Sequence, residues 1–163
     1  MKIFKNVIKH SDGICDIKHF PSNNFAHISN NLVRKVHAVC FYNNKIVVVN
    51  HKEWNIWGIP GGTRENKETP EETLFREIAE ETNCKVNDFT PLCYQEIISE
   101  NVLSHYRLFY ICNVEPYADF EFDPAGSIDK IMWIVLEEYE KYIEQKDYKR
   151  IVLEEALKIS SMG

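Results

Sequence analysis

The sequence predicts an α/β fold: a mixed β-sheet covered by helices. Three observations lead there. Stretches rich in β-branched and aromatic residues are interspersed with amphipathic helical stretches, without the regular rhythm of a doubly wound parallel sheet. The 163 residues show no internal repeat, low-complexity linker or second-domain boundary, so residues 1–163 read as one domain. Val47, Val48 and Val49 form a run apolar on both faces, which marks a central strand.

The elements follow in order. Residues 1–31 are turn-rich (SDGICD, FPSNNFAHISNN) and predict irregular structure with one or two short strands. VRKVHAVCFY and KIVVVN then flank Asn43-Asn44; asparagine tolerates positive φ, so the pair predicts a tight hairpin. HKEWNIWGIPGG reads as a loop closing on Pro60-Gly61-Gly62. A helix over 70–82 comes next. Thr69 is its N-cap, Pro70 suits the first helical position, Glu72 completes a capping box and Asn83 is the left-handed stop. LCYQEIIS, LSHYRLFYICNV and DKIMWIVL predict three more strands, and EEYEKYIEQ and YKRIVLEEALKIS two amphipathic helices.

Composition excludes several classes. Hydrophobic content of 44% and charged content of 27% are ordinary for a globular domain. A net charge of −6 argues against a dedicated nucleic-acid binder, which needs a basic surface. The small basic cluster KDYKR reads as a solvated helix face. No apolar run approaches the roughly 20 residues that span a bilayer, and MKIFKNVIKH does not read as a signal peptide. The five cysteines (Cys15, Cys40, Cys84, Cys93, Cys112) are scattered and odd in number. They predict reduced, mostly buried thiols in a cytoplasmic protein.

The helix over 70–82 breaks a local rule. On a helical wheel Leu74, Phe75, Ile78 and Ala79 form a core-facing stripe, while Glu77, Glu80 and Glu81 converge on the other side. Two unit charges about 6 Å apart repel by roughly 3 kcal/mol at an effective dielectric near 20, and two of these acids oppose the negative end of the helix dipole. Arg76 alone on this helix cannot neutralise three acids, whereas a hard divalent cation can. A solvated acidic face is the plainer alternative, but a rule broken in the last helical turn beside a glycine loop points to function.

Gly62, Glu68 and the run Arg76-Glu77-Ile78-Ala79-Glu80-Glu81-Thr82-Asn83-Cys84 resemble the Nudix box, G-x5-E-x7-R-E-U-x-E-E-x-G-U, where U is apolar. Every charged position matches, and WGIPGG is also typical of the family. One position departs, with Asn83 standing where the pattern has glycine. The resemblance extends over 33–160. It implies an α/β/α sandwich and hydrolysis of a diphosphate by water attack at phosphorus, in a nucleoside triphosphate or another nucleoside diphosphate derivative. It implies that Glu77, Glu80 and Glu81 hold magnesium or manganese, with the Gly61 carbonyl as a further ligand, and that Glu68 and Arg76 fix the loop against the helix. A later acid often completes such sites; Glu100, Glu121, Asp123 and Asp129 are the candidates, with Asp123 and Asp129 best placed.

Lys52 and Arg64 flank the entering loop and are candidates for phosphate contact, with surface charge the alternative. Trp54 and Trp57 are both candidates for base stacking, with core packing the alternative for each and the favoured one for Trp57. His105, Tyr106 and Arg107 lie on a strand whose alternate side chains are candidates to line the cleft. Features of the ADP-ribose, diadenosine-polyphosphate and coenzyme A branches are missing. Ser99, Glu100, Asn101 and Val102 occupy the places of the first two. Two rival readings are a non-catalytic nucleotide-sensing module, which commonly loses box glutamates kept here, and the isopentenyl diphosphate isomerase branch, whose cysteine and metal cluster have no match. Homodimers are common in the family, and residues 1–31 are the candidate arm.

Overall fold

The computed structural model describes residues 1–9, 13–144 and 148–162. The strands are β1 (Lys2–Lys9), β2 (Gly13–Pro21), β3 (Val33–Tyr42), β4 (Lys45–His51), β5 (Ile56–Gly58), β6 (Gly61–Thr63), β7 (Cys84–Ser99), β8 (Val102–Pro116) and β9 (Ile128–Ile134). The helices are α1 (Pro70–Thr82) and α2 (Arg150–Met162), with 3₁₀ turns at Asn30–Leu32 and Leu136–Lys141. The sheet runs β1-β2-β7-β8-β3-β4-β5, with β6 also on β3 and β9 on β4. Strands β3 and β8 are parallel and the other described pairs antiparallel, so the sheet is mixed.

Strand β4 explains the layering. Ile46 and Val48 point one way, into a core with Val39 and with Ile151, Val152, Leu153 and Ala156 of α2. Val47 points the other way, beneath Leu74 and Ile78 of α1 with Ala38 and Cys40. Side chains alternate along a strand, so a strand with a helix on each side has no polar face. Each such burial contributes about 1.5–3 kcal/mol. This is the α/β/α sandwich with a mixed sheet that the sequence predicts. All five cysteines are free and buried.

Local signals hold where backbone geometry is specific. Asn43 and Asn44 both have positive φ, and Glu100 and Asn101 repeat the device between β7 and β8. The structure differs from expectation in four places. Residues 1–31 contain a hairpin of eight- and nine-residue strands, longer than expected, because β2 finds a partner in β7 that no local pattern announces. Strand β7 starts at Cys84 rather than near Leu92, continuing through bulges near Val86 and Pro91. The HKEWNIWGIPGG loop contains the short strands β5 and β6.

The fourth difference lies in the segment EEYEKYIEQ, where Leu136–Lys141 forms a 3₁₀ turn in place of the expected α-helix. Val135 offers no capping side chain, and the buried pair Leu136 and Tyr139 follows the three-residue period. Arg150 closes the turn by donating to the carbonyls of Glu140 (3.1 Å), Ile143 (2.6 Å) and Glu144 (2.9 Å), so this member of KDYKR is a clamp, not a solvated face. Gln145, Lys146 and Asp147, and Ser11 and Asp12 of the SDGICD turn, lie outside the described residues.

Candidate active site

Helix α1 is fixed at both ends. The Thr69 hydroxyl accepts from the Glu72 N–H at 3.1 Å, and the Glu72 carboxylate accepts from the Thr69 N–H at 3.2 Å. Asn83 adopts the left-handed conformation (φ 53°, ψ 39°), its N–H donating to the Ala79 carbonyl. Its side-chain amide donates to the Asp119 carbonyl at 2.8 Å, a tie that glycine could not make.

Strand β6 lays two glycines between β3 and α1. Gly61 has φ +146°, and a Cβ there would strike the Val36 carbonyl and the His37 Cα. A Cβ on Gly62 would strike the Glu77 carboxylate. Only residues without side chains allow this approach. The Gly61 N–H then donates to Glu81 Oε2 at 3.0 Å, joining loop to helix.

Arg76 fixes the loop from the other side. It makes a bidentate pair with Glu68, Nε at 2.7 Å and Nη2 at 2.8 Å, and donates to the Thr63 carbonyl at 3.1 Å. Glu68 also accepts from the Glu65 N–H at 2.7 Å and the Thr73 hydroxyl at 3.2 Å. The Arg76 hydrogen bonds hold the Glu68 carboxyl down at about 2. Arg76 reaches Glu77 at 2.9 Å and Glu80 at 3.4 Å as well, serving as the local counter-charge for the acids.

The three glutamates are unequal. Glu81 is 4% exposed, on the buried side of α1, whereas Glu77 and Glu80 are partly exposed, and Phe75, expected in the core, is 43% exposed and packs edge-on to Phe89. Burial pushes the Glu81 carboxyl well above the usual range; the Gly61 N–H opposes this, while Glu77 and Asp123 add to it. Burial likewise raises Glu77, against Arg76. Among the described residues no group of three His, Cys, Asp or Glu side chains is gathered as a metal site. The carboxylates face Arg76 and the Gly61 N–H instead. The donor set is nonetheless all oxygen, and a buried carboxylate facing two further acids has the charge a hard divalent cation complements.

The remaining candidates fall in different places. Buried Asp123 spends both oxygens on its own loop, accepting from the Ala125, Ser127 and Ile128 N–H groups and the Ser127 hydroxyl. Asp129 and Glu121 are exposed and line a cavity of about 410 Å³ with Lys130 and Trp133. Glu100 is exposed in the β7–β8 turn. Lys52 and Trp54 lie on the exposed loop after β4, and Trp57 packs against the α2-side core. The Arg64 guanidinium donates to the Val33 carbonyl at 2.9 Å and the Glu68 carbonyl at 3.0 Å. His105 and Arg107 are buried, while Tyr106 lies on the opposite face beside Tyr94. The sequence reading passed over His37, which packs against Gly61; its signal was a lone imidazole within an apolar strand.

Comparison with known proteins matches the NUDIX domain model over residues 32–154. The chain belongs to the Nudix hydrolase family. Among solved structures, the pyrophosphohydrolase BsRppH of Bacillus subtilis superposes with a TM-score of 0.70 at 19% identity, covering 98% of each chain. A MutT Nudix hydrolase from Burkholderia pseudomallei gives 0.60 at 22%, covering 76% of this chain and 97% of its own. A Nudix hydrolase from Nitrosomonas europaea gives 0.59 at 19%, covering 76% and 86%. No curated protein sequence matches significantly.

Proposed function

We propose that the protein is a divalent-metal-dependent hydrolase that cleaves a diphosphate bond in a nucleoside triphosphate or another nucleoside diphosphate derivative. The observation that carries this is the Glu81 carboxylate, buried on α1, held on the Gly61 N–H and pushed up first by its burial and then by Glu77 and Asp123. Negative charge concentrated there serves no packing purpose. The similarity to BsRppH, a pyrophosphohydrolase, supports the same class.

Glu77, Glu80 and Glu81, with the Gly61 carbonyl, would hold magnesium or manganese. When bound, that ion supplies Lewis-acid polarisation of phosphoryl oxygens and a water of lowered pKa. The chain's own contribution is positioning. The Arg76–Glu68 pair fixes the loop against α1, and the two glycines let the backbone approach the diphosphate without a side chain between. Five buried free thiols support a reducing, cytoplasmic setting. Among the described residues no helix is long and apolar enough to cross a membrane. A homodimer is the proposed assembly, checked by light scattering.

The test is product analysis of a nucleotide panel with magnesium in oxygen-18 water. Release of phosphate or pyrophosphate, with the label in whichever product holds the attacked phosphorus and turnover abolished in Glu81→Gln, supports the hydrolase. Tight binding without turnover across the panel supports the sensing module instead.

A further inference from the structure

The turn between β6 and α1 carries Glu68 but has no apolar anchor of its own. Glu65, Asn66 and Lys67 are exposed, and Lys67 takes a φ of 70°, a conformation that residues other than glycine adopt at a cost. Internal bonds close the turn. The Glu68 N–H donates to the Glu65 carbonyl at 3.1 Å, and the Glu65 N–H to the Glu68 carboxylate at 2.7 Å. These bonds shape the turn, whereas Arg64 ties it to the sheet. The Arg64 N–H donates to the Arg34 carbonyl at 2.8 Å, carrying the β3–β6 ladder one residue past the Lys35–Thr63 pair. Its guanidinium bridges two further carbonyls, with Nε donating to Val33 at 2.9 Å and Nη1 to Glu68 at 3.0 Å. Val33 is a firm anchor: it is buried, stands opposite Tyr106 of β8, and its N–H closes the 3₁₀ turn on Asn30.

The fork is spent on geometry. Both of its acceptors are neutral main-chain oxygens, and among the described residues no carboxylate pairs with Arg64. A planar guanidinium spans two carbonyls at once in a fixed arrangement, which the point charge of an ammonium does not. Glu68 is thereby gripped from two sides. Arg64 holds its carbonyl from the sheet, and Arg76 holds its carboxylate from the helix at 2.7 and 2.8 Å. Arg76 in turn donates to Glu77 at 2.9 Å and to Glu80 at 3.4 Å. One continuous chain of hydrogen bonds therefore runs from Val33 at the head of β3 through Arg64, Glu68 and Arg76 to two of the acids proposed to hold the metal.

We propose that Arg64 is a positioning residue for the hydrolysis: by holding the Glu68 main chain on β3 it sets the place of the Arg76–Glu68 pair, and through that pair the side chains of Glu77 and Glu80. This rests on the hydrolase reading and extends it to a residue at one of the unspecified positions of the box. It also replaces the phosphate contact expected of Arg64 from the sequence. Arg64 acts through Arg76 and does not touch the nucleotide, so its loss lowers kcat and metal affinity and leaves nucleotide affinity alone. Partners one step removed from a metal ligand orient that ligand, and displacing them by a fraction of an ångström misplaces the reacting groups.

Arg64→Lys in the full chain keeps the charge and loses the fork. Steady-state assays at saturating magnesium are expected to show kcat lowered about tenfold or more at little-changed nucleotide KM. Manganese titration followed by paramagnetic resonance is expected to show metal affinity weakened about tenfold. A raised KM at unchanged kcat would make Arg64 a phosphate contact and overturn the proposal. Unchanged kcat overturns it too, as does a loss of activity that only tracks the unfolded fraction seen by circular dichroism. Side-chain nitrogen-15 spectra read the same chain of bonds without turnover. Wild type protects the Nε protons of Arg64 and Arg76 from solvent exchange, and Arg64→Lys speeds exchange at Arg76 about tenfold or more. A freely exchanging Arg64 Nε proton in wild type overturns the proposal whether or not the variant folds. If wild type turns over no nucleotide, the hydrolase reading fails, while the Arg76 exchange rates still decide whether Arg64 holds the pair. Turnover in wild type with unmoved Arg76 exchange and kcat in Arg64→Lys keeps the hydrolase and removes the positioning role.

Discussion

Gly61 donates its backbone N–H to the buried Glu81 carboxylate at 3.0 Å while its Cα side lies against His37 of β3. The glycine is thus clamped between the sheet and the acid proposed to hold the metal. Replacing it with alanine puts a Cβ into the Val36 carbonyl and the His37 Cα at a φ of +146° that side chains rarely adopt. Gly61→Ala is expected to cost roughly 3 kcal/mol of stability and to lower activity at least as severely as removing Glu81. Chemical denaturation and the nucleotide assay check both, and a variant with unaltered midpoint would show that the loop has another conformation available.

The proposed role of Glu81 is set against stability. Its folded pKa lies above the ordinary carboxyl value of 4.5, chiefly through burial, so the folded state binds the proton more tightly than the unfolded one. The resulting stability is fully present below that ordinary value and is lost as pH rises through the folded pKa. In Glu81→Gln the amide oxygen can still accept from Gly61 N–H, and the buried charge is gone. The metal-free variant should therefore be more stable than metal-free wild type at neutral pH, by about 1–2 kcal/mol, while turnover falls to background. Differential scanning calorimetry in chelator provides the comparison.

Magnesium should reverse that ranking. A cation that binds the folded state alone stabilises it by mass action, about 2.7 kcal/mol at one hundred times its dissociation constant. Wild type is expected to gain Tm on magnesium addition, and Glu81→Gln and Glu77→Gln to gain little. Equal shifts in all three proteins would place the ion elsewhere.

The box was legible because its constraints are local. Thr69, Glu72 and Asn83 specify the ends of α1 through backbone geometry, and Asn43-Asn44 specifies a turn in the same way. Glu77, Glu80 and Glu81 stood out because they break a rule of helix electrostatics within a few residues. What stayed hidden depends on long-range pairing. β2 needs β7 to be a strand, and the buried side chains His19, Gln95 and Arg107 come opposite one another only once β2, β7 and β8 are in register. Phe75 and Glu81 exchanged their expected environments because the wheel fixes a direction around the helix, not what lies there.

Asn83 tests whether the departure from the glycine pattern is compensated. Its φ of 53° is accessible to asparagine at small cost, and its amide reaches the Asp119 carbonyl at 2.8 Å. Asn83→Gly relieves the backbone but cuts that tie, so its stability should lie within about 0.5 kcal/mol of wild type. Asn83→Ala loses the tie without the relief and should cost about 1 kcal/mol or more. Thermal melts of the two variants decide the point, and equal losses in both would make the side-chain bond the dominant contribution.

The Arg76–Glu68 pair gives an acid limb of opposite sign to Glu81. Glu68 is held at about 2 by the Arg76 hydrogen bonds, below its ordinary 4.5, so the unfolded chain binds the proton more tightly than the folded one between those values. Its contribution is present above about 4.5 and is lost as pH falls towards about 2. Because the pair borders solvent, screening reduces its worth to about 1 kcal/mol. Wild-type Tm should fall across that window more steeply than that of Glu68→Gln, and the difference should shrink in high salt. Activity should report the same pair differently. Arg76→Lys keeps the charge but cannot make the bidentate fork, so the loop loses its register against α1, and kcat should drop about tenfold or more with little change in Tm at neutral pH. Parallel acid limbs in wild type and Glu68→Gln, with full activity in Arg76→Lys, would show that the loop is held by the Gly61–Glu81 contact alone.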